Sequence, residues 1–350
     1  MTHLQLRIIE ISKQAGDNIF ISFEPLEALM PDYLAGQFLT LLFQVKGKEI
    51  RRSYSICSSP VLSEPLSIAV KLVENGEISK LLHHKTAVGD VMTALHPNGL
   101  FTYEPVREIK RSVFLFAAGV GITPVFSILK TALVEEQESK IVLIYSNRSQ
   151  SSTLFYAELN SWQERYPDRL KIIYLFSDAK RIQFARLNSF LIQDIVNANL
   201  QYNLSDALCY TCGPIDYMLI CRITLLPMGF HSEQVKKETY FIPEDEADDD
   251  DMTEKEVKDK KTYTVILEYK HKSYRLEVPW YKRILQVALD QNIDVPYSCR
   301  AGICSSCVAT CTSGGVKMDY NEILTDDEIN QGRVLICTAH PSEENTKIVI

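Results

Sequence analysis

A basic excess is missing from this 350-residue sequence: 37 lysines and arginines stand against 45 aspartates and glutamates, a net charge of −8. Nucleic-acid binders carry a basic face, so that class is disfavoured. Glycine and proline are sparse at 14 residues each, and 46% of the chain is apolar. Collagen-like, coiled-coil and wholly disordered chains are excluded on that composition. Met1–Ser12 holds no apolar run of the kind a secretory signal needs. The longest stretch without a charge, Ser112–Leu129, is broken by Gly119, Gly121 and Pro124. A membrane span needs about 20 unbroken apolar residues, so a buried strand, a tight turn and a helix start are expected there instead. The expectation is a cytoplasmic protein without membrane association.

What is present is uneven. Residues 1–242 are electrically neutral, and most of the acidity sits in 243–262, where Glu244–Asp251 carries seven acids in eight positions. Such a run cannot bury a core and reads as a solvated linker. At about 150 residues per domain the chain has room for two or three.

The first hundred residues read as β. Leu4–Ile8, Asn18–Phe23, Gln37–Phe43 and Ser67–Leu72 are short apolar or alternating runs separated by turn signals, the pattern of a sandwich or barrel, with a short helix over Ile78–His83. From Ser112 the pattern changes. Apolar strands Val113–Ala117, Ile141–Tyr145, Ile172–Phe176 and Ala207–Cys212 alternate with helices near Val125–Leu133, Phe155–Trp162 and Leu187–Ala198. That alternation implies βαβ units and an open parallel sheet. After the acidic strip, Tyr263–Tyr269 and Ser273–Val278 read as a hairpin, and Arg283–Gln291 as a helix.

Nine cysteines in a chain without a visible secretory signal argue for metal or redox chemistry over disulfides. Cys299, Cys304 and Cys307 have the spacing C-x4-C-x2-C, and Cys337 follows after 29 intervening residues. Four thiolates so spaced are what a plant-type [2Fe-2S] cluster takes. Structural zinc is the alternative, although it favours paired Cys-x2-Cys knuckles or histidine partners. Cys311 falls outside the pattern, and Cys57, Cys209 and Cys221 read as buried small hydrophobes.

A flavin requires an aromatic face, a hydrogen-bond donor near N5 and a cation for its phosphate. Tyr54, Ser55 and Arg52, at the start of a strand, are the residue types for those tasks, with Ser53 between them. Gly76 and Ser79 open the short helix, whose N-terminus suits a pyrophosphate. Val70, Lys71 and Ile78 flank that turn and complete the candidate set.

A nicotinamide nucleotide is expected at Ala117-Ala-Gly-Val-Gly-Ile-Thr-Pro124, which follows a strand and precedes a helix. Gly119 and Gly121 let phosphate approach the backbone, Thr123 and Pro124 open the helix, and the third glycine of the Rossmann fingerprint is absent. The next strand ends in Ser146-Asn147-Arg148, with no acid before Glu158. An arginine fork meets a 2′-phosphate, which favours NADPH over NADH. Cys212-Gly213-Pro214 ends a later strand at the carboxyl edge, where ligands bind.

In this order the motifs resemble the ferredoxin–NADP reductase superfamily with a C-terminal plant-type ferredoxin domain. Within it, the layout is similar to the reductase subunits of ring-1,2-phenylacetyl-CoA epoxidases. The resemblance implies a multidomain chain. Residues 1–105 form an antiparallel β-barrel that binds FAD, and 106–242 an α/β parallel-sheet NAD(P) domain. An acidic linker spans 243–262, and an α+β β-grasp ferredoxin domain spans 263–350. It matches Arg52, Tyr54 and Ser55 to Arg-x-Tyr-Ser, Gly76 and Ser79 to Gly-x-x-Ser, and Ser146–Arg148 to a phosphate-binding turn, and it places Cys212 near nicotinamide C4. FAD is implied over FMN, because Glu74–Ser79 lacks the arginine of the FMN-using branch.

The implied activity is NADPH-dependent reduction of a partner through FAD and a [2Fe-2S] cluster, with Ser55 and Cys212 as catalytic candidates. The expected partner is an electron-accepting oxygenase or another redox protein. A phenylacetyl-CoA epoxidase-type enzyme comes first, and a hybrid cluster protein or ring-hydroxylating dioxygenase is the alternative. A non-enzymatic zinc protein is the competing class. Asp319, Glu322, Asp326, Asp327 and Glu328 form a candidate docking face on the last domain.

Overall fold

The computed structural model describes residues 3–26, 30–179, 185–240 and 261–350. The chain divides into two compact units, with the boundary along the chain between Glu238 and Thr239. The acidic run Glu244–Asp251 lies outside the described residues.

The first unit opens with six antiparallel strands: β1 (Leu4–Gln14), β2 (Asn18–Pro25), β3 (Phe38–Val45), β4 (Lys48–Ser55), β5 (Leu66–Lys71) and β6 (Val91–Ala94). They form one sheet in the order β4-β3-β6-β1-β2-β5. Its two edges meet through an Ile56–Ile68 bridge and a hydrogen bond from the Cys57 amide to the Ser67 carbonyl, 2.9 Å. The sheet thus closes into a barrel, which removes its exposed edges. Inward residues Leu6, Ile8, Ile21, Leu39, Leu41 and Ile68 fill it. Helix α1 (Glu77–His84) buries Ile78 and Leu82 against this core.

The same unit continues with five parallel strands: β7 (Ser112–Ala118), β8 (Lys140–Asn147), β9 (Leu170–Phe176), β10 (Leu208–Cys212) and β11 (Val235–Glu238), in the order β11-β10-β7-β8-β9. Among the described residues, four α-helices cover them: α2 (Ile122–Glu135), α3 (Tyr156–Arg165), α4 (Ser189–Asn199) and α5 (Ile215–Leu225). Strands buried on both faces read as continuous apolar runs, as Val113–Ala117 does. One face of the sheet packs under α2 and α3 together with barrel residues Ala35, Phe101 and Tyr103, and the other under α4 and α5. Hydrogen bonds pin barrel to sheet: Ser127 Oγ donates to the Ser58 carbonyl at 2.6 Å, and Tyr210 Oη to the Thr102 carbonyl at 2.9 Å. The uncharged stretch Ser112–Leu129 therefore divides into β7, a turn and the start of α2. No helix among the described residues is long and apolar enough to cross a membrane.

The second unit is a mixed sheet with β12 (Thr262–Tyr269), β13 (Lys272–Pro279), β14 (Val308–Ser313), β16 (Arg333–Leu335) and β18 (Thr346–Val349), ordered β13-β12-β18-β14-β16. A side ribbon pairs β15 (Val316–Met318) with β17 (Ala339–Pro341). Helix α6 (Ile284–Asp290) packs on the sheet, and α7 (Asp326–Asn330) is a single capped turn. The hairpin turns at Lys270 and His271, both at positive φ, the geometry of a type I′ loop. The fold class is that expected: an antiparallel barrel, a parallel α/β sheet and an α+β module.

Two details differ from the sequence reading. Arg52–Ser55 forms the end of β4, not the start of a strand, because Lys48–Arg51 already pair with β3. Helix α2 begins at Ile122, before the expected Val125, because proline is tolerated in a first helical turn.

Candidate functional site

Strand β7 has β8 on one side and β10 on the other. The chain winds outward through β8 and β9, then crosses back to β10. That reversal makes a topological switch point, and ligands of open α/β sheets bind at the carboxyl ends of the strands there. The turn after β7 is Gly119–Gly121, and the turn after β10 is Cys212–Pro214. They touch: a Cβ on Gly121 would lie 2.3 Å from the Cys212 carbonyl oxygen. Gly119 has φ +55° and open space beside it, so conformation, not crowding, demands glycine there. Tyrosine hydroxyls brace the turn from below, Tyr145 donating to the Gly119 carbonyl at 3.0 Å and Tyr217 to the Ala117 carbonyl at 3.1 Å. Burial pushes both phenols above their ordinary range, so they stay neutral donors.

Thr123 is buried and donates to the Val120 carbonyl at 3.0 Å, and Pro124 is buried in α2. Cys212 is fully buried at the end of β10, paired with Ala117 on one side and Glu238 on the other. Ser146 and Asn147 end β8, and Arg148 is exposed just beyond. Asn147 Nδ2 is buried with no hydrogen-bond partner among the described residues, a donor suited to an oxygen-rich ligand.

On the barrel, Arg52–Ser55 runs opposite Phe38–Leu41. Alternation puts Arg52 and Tyr54 on one face and Ser53 and Ser55 on the other. Ser53 Oγ and Thr40 Oγ1 are 2.8 Å apart, and Ser55 is buried. Burial also pushes the Tyr54 phenol upward. Ser79 Oγ is tied to the turn before α1, accepting from the Val73 amide at 3.1 Å and donating to the Gly76 carbonyl at 3.2 Å. Val70 and Ile78 point into the barrel core, so only their backbones are available to a ligand, while Lys71 is exposed.

The four cysteines converge in the second unit. The Cys299 thiol neighbours those of Cys304 and Cys337, and Cys337 neighbours Cys307. The Cys299 amide donates to Cys304 Sγ and the Ala301 amide to Cys299 Sγ, both at 3.3 Å. Amides aimed at sulfur are what a thiolate-held cluster needs. The donor set is all sulfur, which suits [2Fe-2S]. By contrast Cys57, Cys209 and Cys221 are buried in apolar cores, and burial pushes the Cys57 thiol up to about 12. Cys311 stands apart on β14.

Sequence reasoning missed a cleft of about 500 Å³ beyond the ends of β8 and β9, lined by Ser149, Gln150, Ser151, Tyr156, Phe176 and Asp178. Nothing local marks Asp178; strand pairing alone brings its amide to the Arg148 carbonyl, at 3.1 Å. In the expected docking face, Asp319 is engaged by His340 and Arg283, and Glu328 caps α7 through the Thr325 amide.

Three families match in series: an oxidoreductase FAD-binding domain over residues 7–103, an oxidoreductase NAD-binding domain over 115–222 and a 2Fe-2S iron-sulfur cluster binding domain over 267–342. A component of the 1,2-phenylacetyl-CoA epoxidase of Escherichia coli K12 is 30% identical over 97% of this chain and 95% of its own. The chain belongs to the ferredoxin–NADP reductase superfamily with a C-terminal plant-type [2Fe-2S] ferredoxin domain.

This reductase is an electron-transfer oxidoreductase with FAD-binding, NAD-binding and [2Fe-2S] domains. It is also 31% identical to the ferredoxin reductase component of 3-ketosteroid-9-alpha-monooxygenase from Rhodococcus rhodochrous, over 90% of this chain and 87% of that one. Phthalate dioxygenase reductase shares its structure with a TM-score of 0.59 and 25% identity, over 100% of this chain and 98% of that one.

Proposed function

We propose that the reductase takes electrons from NADPH and delivers them to the oxygenase of a multicomponent system, of the phenylacetyl-CoA epoxidase kind. The observation that carries this is the presence, on one chain, of a topological switch point where the Gly119–Gly121 and Cys212–Pro214 turns meet and of four mutually neighbouring cysteines. Bound FAD supplies the conversion of a two-electron hydride into single electrons, which a one-electron iron–sulfur centre requires. The chain's own residues bind and orient. Gly119–Gly121 and Cys212–Pro214 seat the nicotinamide end, with Thr123 and Pro124 fixing the helix start. Tyr54 offers an aromatic face, Ser55 a donor toward flavin N5 and Arg52 a cation, while Gly76 and Ser79 shape the pyrophosphate turn. Val70, Lys71 and Ile78 contribute backbone there. Ser146, Asn147 and Arg148 meet the adenosine phosphate, and Arg148 is the residue that favours NADPH. Cys299, Cys304, Cys307 and Cys337 hold the [2Fe-2S] cluster.

The likeness to phthalate dioxygenase reductase favours a second acceptor, a ring-hydroxylating dioxygenase. Anaerobic titration of the purified protein with NADPH and with NADH tests the donor and the path. The expected outcome is bleaching of both flavin and iron–sulfur absorption, at lower concentrations of NADPH. A colourless protein containing zinc would sink the reading. NADPH consumption in mixtures with each candidate oxygenase ranks the acceptors.

A further inference from the structure

A side chain in the left-handed backbone region is strained, because its Cβ crowds the following carbonyl. Lys46, Lys270 and His271 adopt that region in hairpin turns, and Asn292 and Asn345 are of a type that tolerates it. Arg300, at φ +59°, is neither. It lies between Cys299 and Ala301, inside the cysteine loop. The Ala301 amide donates back to Cys299 Sγ at 3.3 Å, a bond that spans Arg300. The backbone angles of the spanned residue decide whether that amide reaches the sulfur. Two residues on, Gly302 has φ +71°, and there a Cβ would stand 2.7 Å from the Tyr320 carbonyl oxygen, so glycine is required. At position 300 the chain carries arginine instead, and the strain must be held by the side chain.

The side chain is anchored on Tyr297. The Arg300 guanidinium carbon lies 4.7 Å from the centre of the Tyr297 ring, and Nη2 donates to Tyr297 Oη at 3.1 Å. That ring belongs to the buried core of the second unit. Stacking on a ring and bonding to its hydroxyl together use the plane and the fork of a guanidinium. We propose that Arg300 is a positioning residue for the iron–sulfur cluster. Its clamp on Tyr297 holds the left-handed turn that aims the Ala301 amide at the Cys299 sulfur. Hydrogen bonds to cluster sulfurs set its potential, so the clamp raises the reduction potential and slows loss of the cluster. Arg300 is also the one charged residue between Pro296 and Cys307, so its charge is the competing explanation. The proposal rests on the reading that Cys299, Cys304, Cys307 and Cys337 hold the cluster.

The flavin- and cluster-loaded full chain tests it, as wild type, Arg300→Ala, Arg300→Gly and Arg300→Lys. Two quantities are read: the midpoint potential of the cluster, and the rate at which a chelator bleaches its absorption. Alanine and glycine both remove clamp and charge, and they differ only in the Cβ. Glycine enters the left-handed region without strain. Arg300→Ala is expected to lose the cluster about fivefold or more faster than Arg300→Gly, with a lower potential. A cluster missing from Arg300→Ala and present in Arg300→Gly is the same result in its extreme form. Loss from alanine no faster than from glycine overturns the clamp. If Arg300→Lys then matches wild type while alanine and glycine both lose the cluster faster, charge alone acts. Iron content of the wild type is measured separately: protein without iron would remove the reading of the four cysteines, and the proposal with it.

Discussion

A methyl group added at Gly121 would sit 2.3 Å from the carbonyl oxygen of Cys212, a residue 91 positions later. Carbon and oxygen do not approach so closely, and backbone on both sides cannot rotate away as a side chain would. Gly121→Ala must therefore push apart the turns that follow β7 and β10. The barrel core lies elsewhere, so flavin content should survive. Affinity for NADPH should fall at least tenfold, about 1.4 kcal/mol. Stopped-flow flavin reduction across a range of NADPH concentrations checks this. Unchanged affinity would mean the two turns do not seat the nucleotide.

Ser55 offers a sharper test of chemistry against binding. It is buried at the last position of β4, on the face opposite Tyr54. Removing one donor to a developing charge commonly costs about 10²-fold or more in rate. Ser55→Ala should slow flavin reduction at saturating NADPH by at least tenfold while changing NADPH affinity less than threefold. Equal rates in variant and wild type would remove Ser55 from the reaction.

These sites were unequally legible. The cysteine quartet could be read because three of its members fall within nine residues, where spacing alone dictates geometry. The glycine turn could be read as a type, but the reason Gly121 must be glycine lies in contact with Cys212. The cleft lined by Tyr156, Phe176 and Asp178 was invisible because its walls come together only once β8 pairs with β9. Strands β6 and β11 have only four residues each, too few for periodicity to mark. Tyr145 and Tyr217 sit within apolar segments, and only the structure shows their hydroxyls under the turn. Val70 and Ile78 were expected at the ligand, yet alternation and helix phase direct both side chains into the barrel.

The connection between barrel and sheet depends on a buried ion pair. Arg111, just before β7, donates through Nε to Glu136 Oε2 at 3.1 Å, and Glu136 is fully buried just after α2. Glu136 also accepts from Ser139 Oγ at 2.6 Å and from the Val106 amide at 3.1 Å. Breaking such a pair leaves an uncompensated guanidinium and costs about 3–5 kcal/mol. Glu136→Ala should lower the melting temperature of this unit by about 10 °C. Arg111→Met combined with Glu136→Leu should cost much less, because neither charge is then left alone. Scanning calorimetry of the three proteins decides it. A single variant no worse than the double would show that the pair contributes only packing.

Asp319 ties stability to pH in the second unit. Burial raises its carboxyl, but hydrogen bonding and charge from His340, followed by Arg283, outweigh burial and hold it below the ordinary aspartate range. The contacts are 2.8 Å from His340 Nε2 and 3.4 Å from Arg283 Nε. A carboxyl lowered on folding stabilises the native state when ionised. That contribution is complete above the ordinary value of about 3.9, and it is lost as pH falls through the lowered folded value. Asp319→Asn should therefore be less stable than wild type by about 1–2 kcal/mol at neutral pH. The gap should close toward acid. Urea unfolding of the cluster-loaded protein, followed by iron–sulfur absorption at several pH values between about 7 and 3, measures it. A gap that stays constant down to the lowest pH would show that shape, not charge, makes Asp319 matter.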